Sequence, residues 1–174
     1  MTTPTSPPPL PCSLTAEPTP LPDTTATPAN TDLTLLIGQS TTHHPMQQPV
    51  YCQDITIALP TGDSPDDLHT TDAALSITTG VPYPSPHLPG HNWSITTTRA
   101  SSETRFTCIP DSTPAIFDGT HPITITLGNV TPNHHPGTAT ITITQTTALT
   151  PTGPYNTNQH HININKQSLH STQI

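Results

Sequence analysis

Histidine is the residue type in this sequence with the clearest capacity for chemistry. There are 11 histidines against three lysines and arginines, and six of them form adjacent pairs: His43–His44, His134–His135 and His160–His161. Imidazole in a loop binds zinc, copper or nickel. A specific metal site, however, needs three or four ligands at fixed geometry, and the spacing of these pairs does not bring them together. We therefore predict no metal ligand and no cofactor, and keep a His-rich metal-binding protein (Zn, Cu or Ni) as the alternative function.

The acidic residues form one close group. Asp63, Asp66 and Asp67 lie in the run PTGDSPDDL, a composition typical of a solvated turn. Calcium binding is the alternative, although the spacing of an EF-hand loop is absent. We predict the turn.

Catalytic motifs are missing from the sequence. It contains no GxSxG, HExxH, GxGxxG or P-loop pattern, and glutamate is limited to Glu17 and Glu103. We expect no enzyme activity and no catalytic residue. An uncharacterised hydrolase is the third alternative, because serine and histidine are plentiful.

Three cysteines, Cys12, Cys52 and Cys108, are too few and too far apart for a disulfide scaffold or a zinc ribbon. Cys52 and Cys108 fall in strand-like runs, where a buried thiol behaves as a small apolar residue. We expect free thiols, with a bridge between Cys52 and Cys108 as the alternative.

Fixed positive charge is confined to Arg99, Arg105 and Lys166. Nucleic acid and anionic membranes are bound by several Lys or Arg on one surface, so we predict neither as a partner. No apolar run approaches the roughly 18 residues of a spanning helix, and the N-terminus MTTPTSPPPLPCSL lacks the basic region of a secretory signal. We expect a soluble protein of unknown compartment, cytoplasmic by default.

These residues are carried by a chain of unusual composition. Charged residues make up only 8% of the chain, against roughly 25% in typical domains, and hydrophobic residues make up 29%. Residues 1–30 are dense in Pro and Thr, which predicts a disordered arm. Residues 149–174 predict a polar, largely flexible tail in which only HININ alternates like a strand. The domain is expected at 31–148.

Within 31–148, short segments alternate apolar residues with Thr at a period of two, separated by Pro, Gly, Asp and Asn. Thr and Ile are β-branched and helix formers are scarce, which favours strands. The predicted strands are DLTLLI (32–37), VYCQDITIAL (50–59), ALSITT (74–79), WSITTT (93–98), TRFTCI (104–109), a short piece at 115–117, PITITLGNV (122–130) and GTATITITQT (137–146).

This spacing predicts an all-β domain, an antiparallel β-sandwich of Ig-like or jelly-roll architecture. Apolar residues at period two are expected to face the other sheet and Thr to face water. The inward set comprises Ile55, Ile57, Leu59, Trp93, Ile95, Phe106, Cys108, Ile123, Ile125, Leu127, Ala139, Ile141 and Ile143.

The predicted edge strands have little protection, because the Lys residues that usually guard an edge are nearly absent. Proline is the available guard, and it occurs at strand borders: Pro49, Pro60, Pro110, Pro114 and Pro122. An uncharged, Thr-lined edge is a template for another strand. We therefore expect a non-enzymatic structural or protein-interaction module, with a protein partner or self-association through an edge strand.

Overall fold

The computed structural model describes residues 10–14, 31–42, 45–46, 48–62, 64–68, 76–80, 93–100, 102–111, 114–131 and 135–166. Ten strands run through these residues. They are β1 (Cys12–Leu14), β2 (Thr31–Ile37), β3 (Val50–Pro60), β4 (Ser76–Gly80), β5 (Trp93–Arg99), β6 (Glu103–Pro110), β7 (Ala115–Phe117), β8 (Ile123–Val130), β9 (Gly137–Ala148) and β10 (Asn156–Lys166). Within the same ranges, no helix is long and apolar enough to span a membrane.

The strands form two antiparallel sheets that pack against each other. The four-stranded sheet has the order β1-β2-β8-β4, and the six-stranded sheet has the order β10-β9-β3-β6-β5, with β7 pairing to the other end of β3. The predicted all-β class and antiparallel sandwich are therefore confirmed. The eight predicted strands match β2 to β9 to within a few residues.

The core lies between the two sheets, and β3 is its centre. Ile57 pairs with Phe106 of β6 on one side and with Ile143 of β9 on the other, and all three side chains are buried. Because successive side chains of a strand point to opposite faces, the Thr residues between them lie on the outer face. The period-two interpretation is thus confirmed along the central strands.

One described strand lies within each of the two predicted ends of the chain. In the predicted arm, Cys12–Leu14 forms β1, which pairs with β2, and Leu10 is fully buried; residues 1–9 and 15–30 lie outside the described residues. In the predicted flexible tail, Asn156–Lys166 forms β10, which pairs with β9 along its whole length. The HININ run is the last part of that strand. Polarity misled the prediction, because the outer face of β10 meets water and its inner face is only partly buried.

Candidate interaction surface

The described histidines do not converge. His160 and His161 are neighbours in β10, so their side chains lie on opposite faces of the sheet. His161 is exposed, with Nδ1 at 3.3 Å from the Thr142 hydroxyl. Among the residues that the structure describes, no group of three His, Cys, Asp or Glu could hold a metal. His43, His44 and His134 lie outside those residues, so the metal-binding alternative stays a prediction.

The acidic group lies in a turn after β3. The Asp67 amide donates to the Ser64 carbonyl at 3.0 Å, and the Asp67 carboxylate accepts from the Ser64 amide at 3.1 Å. Asp66 is exposed, and Asp63 lies outside the described residues. The Lys166 ammonium, at the end of β10, donates to the Asp67 carbonyl. The described part of this segment is a turn whose carboxylate satisfies its own backbone.

One acid–base pair lies between β7 and β8. Asp118 Oδ2 is 2.9 Å from His121 Nδ1, and both side chains are about one-third exposed (31% and 32%). Burial raises the pKa of Asp118, but hydrogen bonds from the Thr120 amide, the His121 ring and the Thr120 hydroxyl outweigh it, so the pKa lies below its ordinary value. Within the described ranges, no serine or cysteine hydrogen-bonds to the ring. The pair, with the Thr120 hydroxyl at 2.9 Å from the same ring nitrogen, closes the turn between β7 and β8.

The cysteines are all free thiols, as predicted. Burial raises the pKa of Cys108 to about 12 and also raises the pKa of Cys52. Burial raises the pKa of Cys12 to about 12 as well, although a hydrogen bond from Gln145 opposes this. Since the thiolate is the reactive form, the three side chains act as core residues at neutral pH.

The outer face of the six-stranded sheet is rich in hydroxyl and amide groups. Side chains of β9 and β10 pair across it: Thr138 with Asn165 at 2.9 Å, Thr140 with Asn163 at 2.8 Å and Thr142 with His161 at 3.3 Å. A depression of about 390 Å³ in this face is lined by Thr56, Ala58, Glu103, Arg105, Thr142, Thr144 and Gln159. Its two charges cancel, because Arg105 lies 2.9 Å from the Glu103 carboxylate.

Strand β5 forms one edge of this sheet. Trp93 is buried and Ile95 half-buried on the inner face, as predicted. From Thr96 to Arg99, by contrast, every side chain is exposed, whichever face it lies on. The four-stranded sheet therefore does not cover this half of β5.

Two hydrogen bonds establish which backbone groups of β5 face the open edge. The Ala100 amide donates to the Glu103 carbonyl at 2.8 Å. In an antiparallel pair such hydrogen-bonded positions alternate, so the ladder bonds to β6 are made at Ser94–Ile109, Thr96–Thr107 and Thr98–Arg105. On the other side of β6, the Thr61 amide donates to the Ser102 carbonyl at 3.0 Å, which gives the same alternation. The N–H and C=O groups of Ile95, Thr97 and Arg99 therefore point away from β6.

Strand β10 forms the opposite edge of the six-stranded sheet and makes more contacts with neighbouring strands. Its outer side chains pair with those of β9, and β1 contacts it. Lys166, its only fixed charge, is buried. Among the described strands, β5 is thus the more open edge of the six-stranded sheet.

The sequence analysis did not predict one buried polar contact, between the side chain of Gln145 and the backbone of Leu10. Gln145 of β9 is fully buried; its Nε2 donates to the Leu10 carbonyl at 3.0 Å and its Oε1 accepts from the Leu10 amide at 2.7 Å. A signal was present, because Gln145 follows Ile141 and Ile143 at the inward period of two. An inward amide needs a partner, but nothing in the sequence identifies Leu10 as that partner.

Comparison with known proteins adds little. No protein-family model and no curated protein matches the chain. The chain is similar to the solved structure of AvmM, which catalyses macrocyclization in alchivemycin A biosynthesis. The similarity covers 92% of each chain at 9% sequence identity, with a TM-score of 0.46. At that identity and TM-score it supports no inference about activity.

Proposed function

We propose that this domain is a non-enzymatic protein-interaction module that pairs a partner β-strand with the open edge of β5. The observation that carries the proposal is the row of backbone groups at Ile95, Thr97 and Arg99, which point away from β6. Main-chain hydrogen bonds to an exposed sheet edge are a general mode of strand recognition. The predicted Ig-like or jelly-roll topology of the module remains a hypothesis.

The composition of β5 supports this mode of binding. Thr96, Thr97 and Thr98 are β-branched and exposed, and the strand contains no proline. Natural edges are usually protected by lysine, proline or a covering element, and in β5 the only charged side chain is Arg99 at its end. Prolines occur at the ends of other strands, such as Pro60 in β3 and Pro110 in β6, but none lies in β5.

A second copy of this chain is the partner that fits this edge most simply. Two β5 strands that pair antiparallel about a two-fold axis at Thr97 place Ile95 of each opposite Arg99 of the other. No like charges then face each other, and the interface is self-complementary, as a two-fold interface requires. The two six-stranded sheets become one continuous sheet.

The same surface is poorly suited to nucleic acid. Of the three fixed cations, Lys166 is buried against a backbone carbonyl and Arg105 is paired with Glu103. Phosphate binding depends on several cations on one face. A protein strand, which needs only main-chain hydrogen bonds, is the better match.

Light scattering after size-exclusion chromatography, over a wide range of protein concentration, tests the proposal. We expect the wild-type mass to rise toward that of a dimer. Thr97→Pro removes an edge-facing N–H and blocks the approach of a strand, so this variant associates less than the wild type at every concentration. The matched control Thr97→Val keeps the N–H and associates as the wild type does. A wild type that is monomeric at every concentration, or a Thr97→Pro variant that associates equally well, would overturn the proposal.

A further inference from the structure

The first described segment, residues 10–14, lies in the sandwich as an extended peptide in a groove. Its strand β1 adds to the edge of β2, with Cys12 opposite Ile37. The Pro11 carbonyl accepts from the Gly38 amide at 2.9 Å, and the Leu10 side chain is fully buried in the core. The segment is therefore held by main-chain pairing on one side and an apolar pocket on the other.

Gln145 is the buried polar side chain that meets this segment inside the sandwich. Its fully buried amide both donates to and accepts from the backbone of Leu10, as a neighbouring strand would. It also donates to Cys12 Sγ at 2.9 Å. A buried amide without partners is costly, so this position favours an extended chain over an apolar side chain. Leu10 and Gln145 are 135 positions apart in the sequence, so the segment and the side chain that binds it come from opposite ends of the chain.

The connection to the rest of the chain is longer than the fold needs. In the β1–β2 pair Leu14 lies opposite Leu35, four residues from Thr31, a distance of roughly 13 Å at about 3.3 Å per residue. Residues 15–30, sixteen in all, can extend to about 50 Å. The segment is therefore able to reach the groove of a neighbouring molecule.

We propose that residues 10–14 are an exchangeable ligand strand, and that the groove formed by β2, Gly38 and Gln145 binds the same segment of a second copy. The ligand is an extended peptide of sequence Leu-Pro-Cys-Ser-Leu. The side chain of its first leucine, Leu10, enters the pocket, and the backbone of that residue meets Gln145. In a single copy the segment fills its own groove. In two copies the segments exchange, and every contact is kept.

A synthetic peptide provides the first test. We use fluorescein-labelled PPPLPCSLT (residues 7–15) under reducing conditions and measure its anisotropy with three full-length chains: wild type, Leu10→Asp and Leu10→Asp/Gln145→Leu. Leu10→Asp disfavours docking of the chain's own segment, so we expect it to bind the peptide about ten-fold or more tightly than the wild type, in which that segment competes. The double variant binds more weakly than Leu10→Asp, because it lacks the Gln145 contacts. A peptide with Asp in place of Leu10 is the matched control. A folded Leu10→Asp chain that binds both peptides equally overturns the proposal.

Hydrogen exchange on the wild type provides a second test that does not depend on the folding of a variant. Excess peptide is expected to displace the chain's own segment. Exchange at Cys12–Leu14 then becomes faster, while the Gly38 amide, which the peptide also covers, stays protected. Exchange at Cys12–Leu14 that is no faster with this peptide than with the control peptide overturns the proposal.

This inference is independent of the β5 edge. β5 and the Gln145 site of β9 lie in different parts of the six-stranded sheet, separated by β3 and β6. Thr97→Pro is therefore expected to leave peptide binding unchanged. Loss of association in Thr97→Pro together with retained peptide binding is the result that both proposals predict. Association that Thr97→Pro leaves unchanged overturns the β5 proposal alone, and equal binding of the two peptides overturns the exchange proposal alone.

Discussion

Proline substitutions at two adjacent residues of β5, Thr96 and Thr97, distinguish the backbone groups that bond to β6 from those that face the open edge. At Thr96 the backbone N–H faces β6 and bonds to the Thr107 carbonyl, whereas at Thr97 it faces the edge. Thr96→Pro therefore removes a ladder bond, and Thr97→Pro does not. We expect Thr96→Pro to be the more destabilising substitution, although the two residues have the same type, the same strand and similar exposure.

The magnitude follows from what differs between the two sites. Each substitution introduces the same ring and the same restriction of φ, so these costs largely cancel in the comparison. The remaining difference is one hydrogen bond, about 1 kcal/mol, plus the cost of leaving the Thr107 carbonyl without its donor, about 1–3 kcal/mol for a buried group. Because Thr107 is only half-buried, the lower end applies. Thr96→Pro should lower the free energy of unfolding by about 2 kcal/mol more than Thr97→Pro.

Urea denaturation followed by far-UV circular dichroism measures this difference. The dependence of the unfolding free energy on urea should be the same for both variants, so the midpoints report stability directly. Thr96→Val and Thr97→Val serve as controls for the loss of the hydroxyl. Equal destabilisation by the two prolines, or a larger effect at Thr97, would mean that the ladder has the opposite phase. The geometric basis for the β5 edge would then be lost.

Three further predictions test the core, the Asp118 carboxylate and the thiols. Ile57→Ala should cost about 2–5 kcal/mol of unfolding free energy in urea, and Thr56→Ala less than about 1 kcal/mol; similar costs would contradict the assignment of faces. The folded-state pKa of Asp118 lies below its ordinary value of 3.8, so its contribution to stability is present above that pH and lost as the pH falls through the folded value. Asp118→Asn should therefore have a lower urea midpoint than the wild type at neutral pH, and this difference should disappear well below pH 3.8. A difference in midpoint that persists at that low pH would show that ionisation of Asp118 is not its cause. Iodoacetamide at mildly alkaline pH should leave all three native thiols unmodified by mass spectrometry and modify all three in urea, because burial raises their pKa values; rapid labelling of native Cys108 would show that it is accessible.

The class of fold and most of the strands followed from the sequence alone. Side chains of a strand alternate between faces, so runs such as Ile123, Ile125 and Leu127 predict both the strand and its buried face. This local rule needs no knowledge of the partner strand. It succeeded wherever the inner face is fully covered, as in β3, β8 and β9.

Tertiary structure decided the pairing, the edges and the two ends of the chain. The polar strand β10 is ordered by its ladder to β9, and β1 is held by β2 and by the amide of Gln145. Each contributes few apolar residues to the core: Leu10 beside β1, and Ile162 and Ile164 in β10. The sequence indicates which side chains are buried in the core, but it does not indicate backbone pairing, because backbone hydrogen bonds do not depend on side-chain type. Only the assembled sheets determine which backbone groups, such as those of Thr97, face an open edge.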